Sequence, residues 1–178
     1  MAVHVALLRG INLGAVRKVP MAQLRERLGE AGYEDVATLL QSGNVVLSSP
    51  LQPDALAAAL DEQLEAWFGF AVPVVVRSRA QLAKVVERDP LGDVAKDPKK
   101  YVVTFLGGTP DAGFLKELRA GDHGAERFAA HGRELYTWHP DGIHKSRLAR
   151  LVGDARLGVT ATGRNWATVT KLLELASR

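Results

Sequence analysis

The 178-residue sequence contains no cysteine, and this absence excludes disulfides, cysteine nucleophiles and cysteine-ligated zinc. No apolar run approaches the roughly 20 residues that span a bilayer. The apolar start of the chain stops at Arg9, which is too early for a signal peptide. We therefore expect a protein without membrane association, located in the cytoplasm.

Several motifs that carry chemistry are also missing. The glycines at 10 and 14 lack the Gly-Lys-Ser/Thr sequence of a phosphate-binding loop, and there is no Gly-x-Ser-x-Gly elbow. The acidic residues are scattered, with no obvious pair for acid–base work. His131, His139 and His144 match no common metal-site spacing, and His139 begins a Pro-Asp-Gly turn that we interpret as a surface loop. We predict no metal and no cofactor, and whether the protein is an enzyme stays open.

The composition is that of a folded globular protein, with 47% hydrophobic and 24% charged residues. The formal net charge is +3, and its distribution is uneven. Residues 91–178 hold 14 basic and 10 acidic residues, whereas residues 1–90 hold 9 and 10. A basic C-terminal half suits a polyanion, and it also suits an ordinary solvated surface.

Hydrophobic periodicity and turn residues predict two successive βαββαβ patterns, each typical of a ferredoxin-like fold. The predicted strands are His4–Leu8, Val36–Gln41, Asn44–Ser48, Val72–Val76, Tyr101–Leu106, Glu126–Ala130, Glu134–Trp138 and Gly158–Ala161. Predicted helices begin at Pro20 and Pro53 and cover Arg79–Arg88, Asp111–Ala120, Lys145–Val152 and Asn165–Ala176. Ser42-Gly43 is predicted to be a two-residue hairpin link, and Pro73 to lie in an edge strand.

The predicted fold class is therefore α+β, with two ferredoxin-like (α-β plait) modules in tandem plus a C-terminal helix. We expect an N-terminal module over residues 1–78 and a connecting helix and linker over residues 79–100. The C-terminal module with its terminal helix is expected over residues 101–178.

Two polar clusters interrupt the apolar pattern at one end of the first module. The first contains Arg9, Asn12 and Lys18, and the second contains Gln41, Ser42 and Asn44. In the βαββαβ order, the loop after the first strand and the tip of the following hairpin fall at the same end, so these residues should lie close together. An arginine fork and a lysine ammonium beside amides suit a phosphate or carboxylate. The alternative is that the Gly and Asn residues only build turns.

A third cluster runs from Thr162 through Arg164 and Asn165 to Thr168. Asn165 or Thr162 can cap the last helix, and a helix N-terminus presents unpaired N–H groups to an anion. Arg164 and Asn165 are therefore candidate ligand-binding residues. Plain capping, with Trp166 as a core anchor, is the alternative.

Three segments together resemble the bacterial "domain of unknown function 1697" family. They are Leu-Leu-Arg-Gly-Ile-Asn at residues 7–12, Gln-Ser-Gly-Asn-Val at residues 41–45 and Thr-Gly-Arg-Asn-Trp-Ala-Thr-Val at residues 162–169. The resemblance covers essentially the whole chain and implies two α-β plait modules. The sequence departs from the family pattern at Ala15, where a second Gly is frequent, and at Gly163, where Thr is frequent. The resemblance implies no particular activity.

Three functional hypotheses follow. The first is binding of an anionic small molecule, bearing phosphate or carboxylate, at the polar basic rim. The second is a nucleic-acid-binding module, for which Tyr101, Phe105, Tyr136 and Trp138 are the only strand aromatics available for stacking. The third is an enzyme that uses the same rim on a phosphorylated or acyl substrate. The oligomeric state is not predicted.

Overall fold

A computed structural model describes residues 1–153 and 155–178 of the chain. It divides into two compact units, residues 1–84 with 172–178 (unit 1) and residues 85–171 (unit 2). Each unit contains a four-stranded antiparallel sheet with helices, so the predicted α+β fold of two ferredoxin-like modules and a C-terminal helix is confirmed. No helix among the described residues is long and apolar enough to cross a membrane.

The first module contains four strands and two long helices, followed by the connecting helix. These elements are β1 (Ala2–Leu8), α1 (Met21–Glu30), β2 (Glu34–Leu39), β3 (Asn44–Ser49), α2 (Pro53–Phe68), β4 (Val74–Ser78) and α3 (Arg79–Arg88). The strand order is β2-β3-β1-β4. Proline at the first position of α2 and Gly69 in the left-handed region after it set the ends of that helix.

One face of this sheet packs on α1 and α2, because aliphatic side chains recur on matching faces of all three elements. Leu24 and Leu28 of α1, and Leu56, Leu60 and Leu64 of α2, are fully buried there. The core of unit 1 is therefore the filled apolar layer that the sequence pattern predicts.

The second module repeats the topology with shorter helices. Its elements are β5 (Tyr101–Leu106), α4 (Ala112–Ala120), β6 (Arg127–His131), β7 (Glu134–Trp138), α5 (Arg147–Leu151), a 3-10 turn (Ala155–Leu157), β8 (Ala161–Asn165) and α6 (Trp166–Ala176). The strand order is β6-β7-β5-β8. Asp111 caps α4 and Ser146 caps α5, each through its side-chain oxygen.

Some predicted boundaries are wrong. The last strand is Ala161–Asn165 and not Gly158–Ala161, because the polar segment after Ala161 pairs along β5. The link between β2 and β3 has four residues, since Leu40 as well as Gly43 takes a positive φ, 60° and 90°. Pro73 lies just before β4, which begins at Val74 and does occupy a sheet edge as predicted.

Candidate functional site

The loop of residues 9–18, which we call the rim loop, follows β1 and meets the hairpin tip of residues 40–43. Nδ2 of Asn12 donates a hydrogen bond to the carbonyl oxygen of Gln41 at 2.7 Å. The antiparallel register of β1 with β3 brings the two segments to the same end of the sheet. The first two polar clusters are therefore neighbours, as the predicted topology requires.

Asn12 fastens the rim loop to its surroundings. Its Nδ2 also donates to the carbonyl oxygen of Val19 at 3.0 Å, and its Oδ1 accepts from the Val19 N–H at 2.9 Å. The backbone of Asn12 lies in the left-handed region at φ 54°, which asparagine tolerates better than most residues. The side chain uses both ends of its amide internally, so it stabilises the loop.

Arg17 also stabilises the rim loop, and the sequence analysis did not identify it. Its Nε donates to the carbonyl oxygen of Gly10 at 2.7 Å, and its Nη2 donates to that of Ala71. The guanidinium also lies over the Phe70 ring, 4.9 Å from the ring centroid. No signal in the sequence separates this structural arginine from its exposed neighbour Lys18, because the two cations are adjacent and follow the same apolar segment of residues 13–16.

Asn44 is fully buried at the start of β3. Its Nδ2 donates to the carbonyl oxygen of Leu39 at 2.8 Å and to the hydroxyl oxygen of Ser42 at 3.0 Å. The amide thus bridges the two ends of the hairpin tip. Asn44 therefore stabilises the hairpin tip and is not exposed to solvent.

Gly43 occupies a position with no room for a side chain. A Cβ at this position would lie 2.7 Å from Cβ of Leu8 and 3.0 Å from Cδ1 of Ile11, and its φ is 90°. Both the tight approach and the left-handed backbone require glycine here. The hairpin tip can therefore sit directly on the rim loop.

Four of the predicted site residues are exposed at this rim: Arg9, Lys18, Gln41 and Ser42. Within the described part of the chain, the Arg9 guanidinium and the Lys18 ammonium take part in no hydrogen bond or ion pair. The backbone of the same loop is closed by a bond from the Asn12 N–H to the Arg17 carbonyl oxygen at 3.0 Å. Arg9 and Lys18 are therefore exposed cations on a loop whose conformation is held by hydrogen bonds.

Large apolar side chains are exposed beside these cations. Leu13 and Val16 in the rim loop are 67% and 65% exposed, and Leu40 in the hairpin tip is 60% exposed. Single exposed apolar residues are ordinary. Three of them in the two segments that form the rim give it a mixed cationic and apolar character.

The third polar cluster lies in unit 2, and its two candidate residues point to opposite faces of β8. Arg164 is buried, and its Nη1 donates to the Thr162 hydroxyl oxygen at 2.7 Å and to the Gly163 carbonyl oxygen at 2.8 Å. Burial lowers the pKa of Arg164 to about 10, so the side chain stays charged at neutral pH. Asn165 caps α6 by accepting the Thr168 N–H at 2.9 Å, which is the capping role considered for it.

Unit 2 also contains a buried polar group that the sequence analysis placed on the surface. His139 is 1% exposed, and the prediction of a surface loop at this residue is wrong, because its ring is held on both sides. Glu126 and Ser146 contact Nδ1, while the Thr137 oxygen lies 2.7 Å from Nε2. Among the described residues, no cluster of three or more His, Asp or Glu side chains fits a metal ion.

Glu126 is the charged member of this group. Burial acts to raise the pKa of its carboxyl, but hydrogen bonds from Ser146 and His139 outweigh burial and leave that pKa below its ordinary value. Ser146 donates to Glu126 and accepts the Ala149 N–H at 2.9 Å. The carboxylate thus connects the buried imidazole to the N-terminus of α5.

Three of the four predicted stacking aromatics of the second sheet are not displayed for base stacking, and the fourth, Trp138, is half-buried. Tyr101, Phe105 and Tyr136 are buried, and Tyr101 stacks on Trp166 with 4.6 Å between ring centroids. Nucleic-acid binding on such a sheet requires exposed aromatics. The strand aromatics therefore give no support to the nucleic-acid hypothesis.

Comparisons with known proteins agree with this architecture. Residues 1–136 match the family described as "Protein of unknown function (DUF1697)". The chain is also similar to a solved structure described as "The structure of conserved bacterial protein SP0830 from Streptococcus pneumoniae". The two sequences are 20% identical, with a TM-score of 0.82 over 100% of this chain and 99% of that chain. A likeness at this identity shows the fold alone. No curated protein matches the sequence.

Proposed function

We propose that this chain, which belongs to the DUF1697 family of proteins of unknown function, binds an anionic ligand at the rim of unit 1. The ligand would bear a phosphate or carboxylate group. Arg9 and Lys18 would contact it as cations, with Gln41 and Ser42 as polar neighbours. The observation that carries the proposal is that these two exposed cations are uncommitted within the described part of the chain.

The rigidity of the frame supports this proposal. Side chains of Asn12 and Arg17 fix the rim loop, and that of Asn44 fixes the hairpin tip, through hydrogen bonds to backbone carbonyl groups. A ligand that binds to a fixed loop does not have to order it, and affinity rises accordingly. The amides of Asn12 and Asn44 would thus serve binding indirectly.

The local charge also favours an anion. The first acidic residue of the chain is Glu26, while Arg9, Arg17 and Lys18 precede it, and residues 36–53 carry no charged side chain. The segments that form the rim therefore contain no carboxylate that could neutralise its cations. Because the cations are exposed, their attraction for a ligand would fall with salt over a Debye length of about 8 Å at physiological ionic strength.

Thermal unfolding with inorganic pyrophosphate and with citrate tests the proposal. An anion present at 100 times its dissociation constant adds about 2.7 kcal/mol to the free energy of unfolding. We expect at least one of the two to raise the melting temperature of the wild type, and the shift to shrink as NaCl is added. Arg9→Ala and Lys18→Ala should each reduce it.

Arg119→Ala is the matched control, since it removes an equally exposed arginine from α4 of unit 2. It should leave the shift intact. The proposal is wrong if neither anion shifts the wild type, or if Arg9→Ala responds as fully as Arg119→Ala does. A short single-stranded oligonucleotide in the same assay tests the polyanion alternative, which would show a much steeper salt dependence.

A further inference from the structure

Unit 2 contains a cavity of about 310 Å³ on the helix-bearing face of its sheet. Its floor is formed by three adjacent strands, β7, β5 and β8, through Thr137, Val102, Thr104 and Gly163. The remaining wall includes Asn165. This volume is at the lower end of the roughly 300–1,000 Å³ range of small-molecule pockets.

The cavity exists because α5 is short. In unit 1 the helix at the same topological position, α2, has 16 residues, and its leucines fill the corresponding face. In unit 2 that helix has 5 residues, so it leaves part of the sheet uncovered. At matching register positions the floor changes accordingly, from Ala6, Leu47 and Val76 in unit 1 to Thr104, Thr137 and Gly163 in unit 2.

A hydrogen-bond relay fixes the orientation of one polar group in this cavity. The Glu126 carboxylate accepts at Nδ1 of His139, so in its neutral form the ring carries its proton there. Nε2 is then an acceptor, and the Thr137 hydroxyl donates to it at 2.7 Å. Thr137 and His139 are both fully buried, so this pair forms a closed part of the cavity floor and leaves ligand contacts to the other polar groups.

Two other polar groups line the cavity, those of Asn165 and Thr104. Oδ1 of Asn165 is committed to the Thr168 N–H, which leaves its amide NH₂ as a donor. The Thr104 hydroxyl makes no hydrogen bond to any residue that the structure describes. Among the residues that the structure describes, no side chain with a fixed charge lines the cavity, and the remaining wall is mostly aliphatic.

We infer that this cavity is a binding site for a small uncharged ligand of the amide or nucleobase class. Such a ligand carries a carbonyl or ring acceptor for the Asn165 amide and an N–H donor for the Thr104 oxygen. A charged ligand would be desolvated here without an opposite charge, which is unfavourable. The site is separate from the rim of unit 1 and does not depend on the function proposed there.

The experiment uses pairs of probes that share a ring and differ in charge, and the nicotinamide pair also matches closely in shape. Nicotinamide and nicotinate share a ring, as do uracil and orotate, and only the second member of each pair bears a carboxylate. Each probe is titrated into ¹⁵N-labelled full-length protein, and amide shifts are followed by NMR. We expect nicotinamide or uracil to shift amides of β5, β8 and α5, and the paired carboxylate to shift them much less.

Two variants test the location. Gly163→Val fills the cavity, since a Cβ there lies 3.3 Å from Cγ1 of Val102 and 3.7 Å from the Thr104 oxygen. It should abolish binding. Thr104→Val keeps the shape and removes the hydroxyl, so it should weaken the dissociation constant about five- to tenfold even if Gly163→Val fails to fold. Arg119→Ala, on α4 and outside the lining of this cavity, should bind the neutral probes as the wild type does.

The inference is overturned if neither neutral probe shifts these amides at 10 mM. It is also overturned if the shifts survive in Thr104→Val unchanged, or if the carboxylates bind as well as their neutral partners. Because the anions of the rim assay are not among the neutral probes, failure here leaves the rim proposal untouched, and the reverse also holds.

Discussion

Replacing Gly43 with alanine separates two effects on the hairpin tip, backbone strain and side-chain crowding. At φ 90° any residue with a Cβ is strained, at a cost of roughly 1–2 kcal/mol. The new methyl would also lie 2.7 Å from Cβ of Leu8. Overpacking of this kind costs about 1–3 kcal/mol. We expect Gly43→Ala to lower the free energy of unfolding by about 2–5 kcal/mol.

Gly14→Ala is the matched control. Its φ is 67°, yet a Cβ there meets nothing within 4 Å, so it carries the strain without the crowding. Chemical denaturation, followed by circular dichroism, measures both variants against the wild type. The crowding argument is refuted if Gly43→Ala loses no more stability than Gly14→Ala. Trimming Ile11 should not rescue Gly43→Ala, because the contact with Leu8 remains.

Three further predictions concern buried polar groups. Burial lowers the pKa of His4, and backbone groups of Ser49 and Leu51 partly offset this shift. The ring nitrogens make no hydrogen bond of standard geometry, so His4→Leu should stabilise the protein by about 1 kcal/mol at pH 7. The gain should grow as the pH falls below 6.5, where only the unfolded chain binds the proton. Because the pKa of Glu126 is depressed, its contribution to stability is present above its ordinary pKa and is lost as the pH falls through the lower folded value. Glu126→Gln should therefore cost about 1.5–3 kcal/mol at pH 7 and less at pH 3 in denaturation experiments. Asn165→Ala should cost about 1 kcal/mol in the same assay, because α6 loses its cap.

For each of these three predictions, a specific result would contradict the reasoning. A difference between His4→Leu and wild type that stays constant from pH 7 to pH 5 would exclude the histidine as its source. Equal destabilisation by Glu126→Gln at pH 7 and pH 3 would mean that the carboxylate charge is unimportant. Asn165→Asp keeps the capping oxygen, so it should retain the stability that Asn165→Ala loses, and equal losses would refute the capping argument.

Much of the fold follows from the sequence because the hydrophobic periodicity and the residues that begin and end helices indicate the same elements. The leucine spacing of α2, with proline before it and glycine after it, indicates one helix, and the structure places its ends within a residue of those signals. The strand β8 is different. Its residues, Thr162 to Asn165, are polar or glycine and resemble a loop, and only the tertiary pairing with β5 makes them a strand.

The candidate site shows a different limit. Asn12 and Asn44 lie at the rim, where topology predicts them, but an amide serves equally well to bind a ligand or to close a turn. Only the coordinates reveal that both side chains bond to the backbone. The same ambiguity hides His139, whose Pro-Asp-Gly sequence is typical of an exposed turn while its ring is held between Glu126 and Thr137.

The way in which Asn12 closes the rim loop has a consequence for how this surface can diversify. Its side chain pairs with the N–H and the carbonyl of Val19 as a peptide unit pairs across two antiparallel strands. The hydrogen bonds that close the loop around residues 13–16 are therefore made by Asn12 and Val19, which lie outside that segment. Substitutions of the exposed Leu13 and Val16 would change the chemical character of this surface while the hydrogen-bonded frame of the loop stays the same.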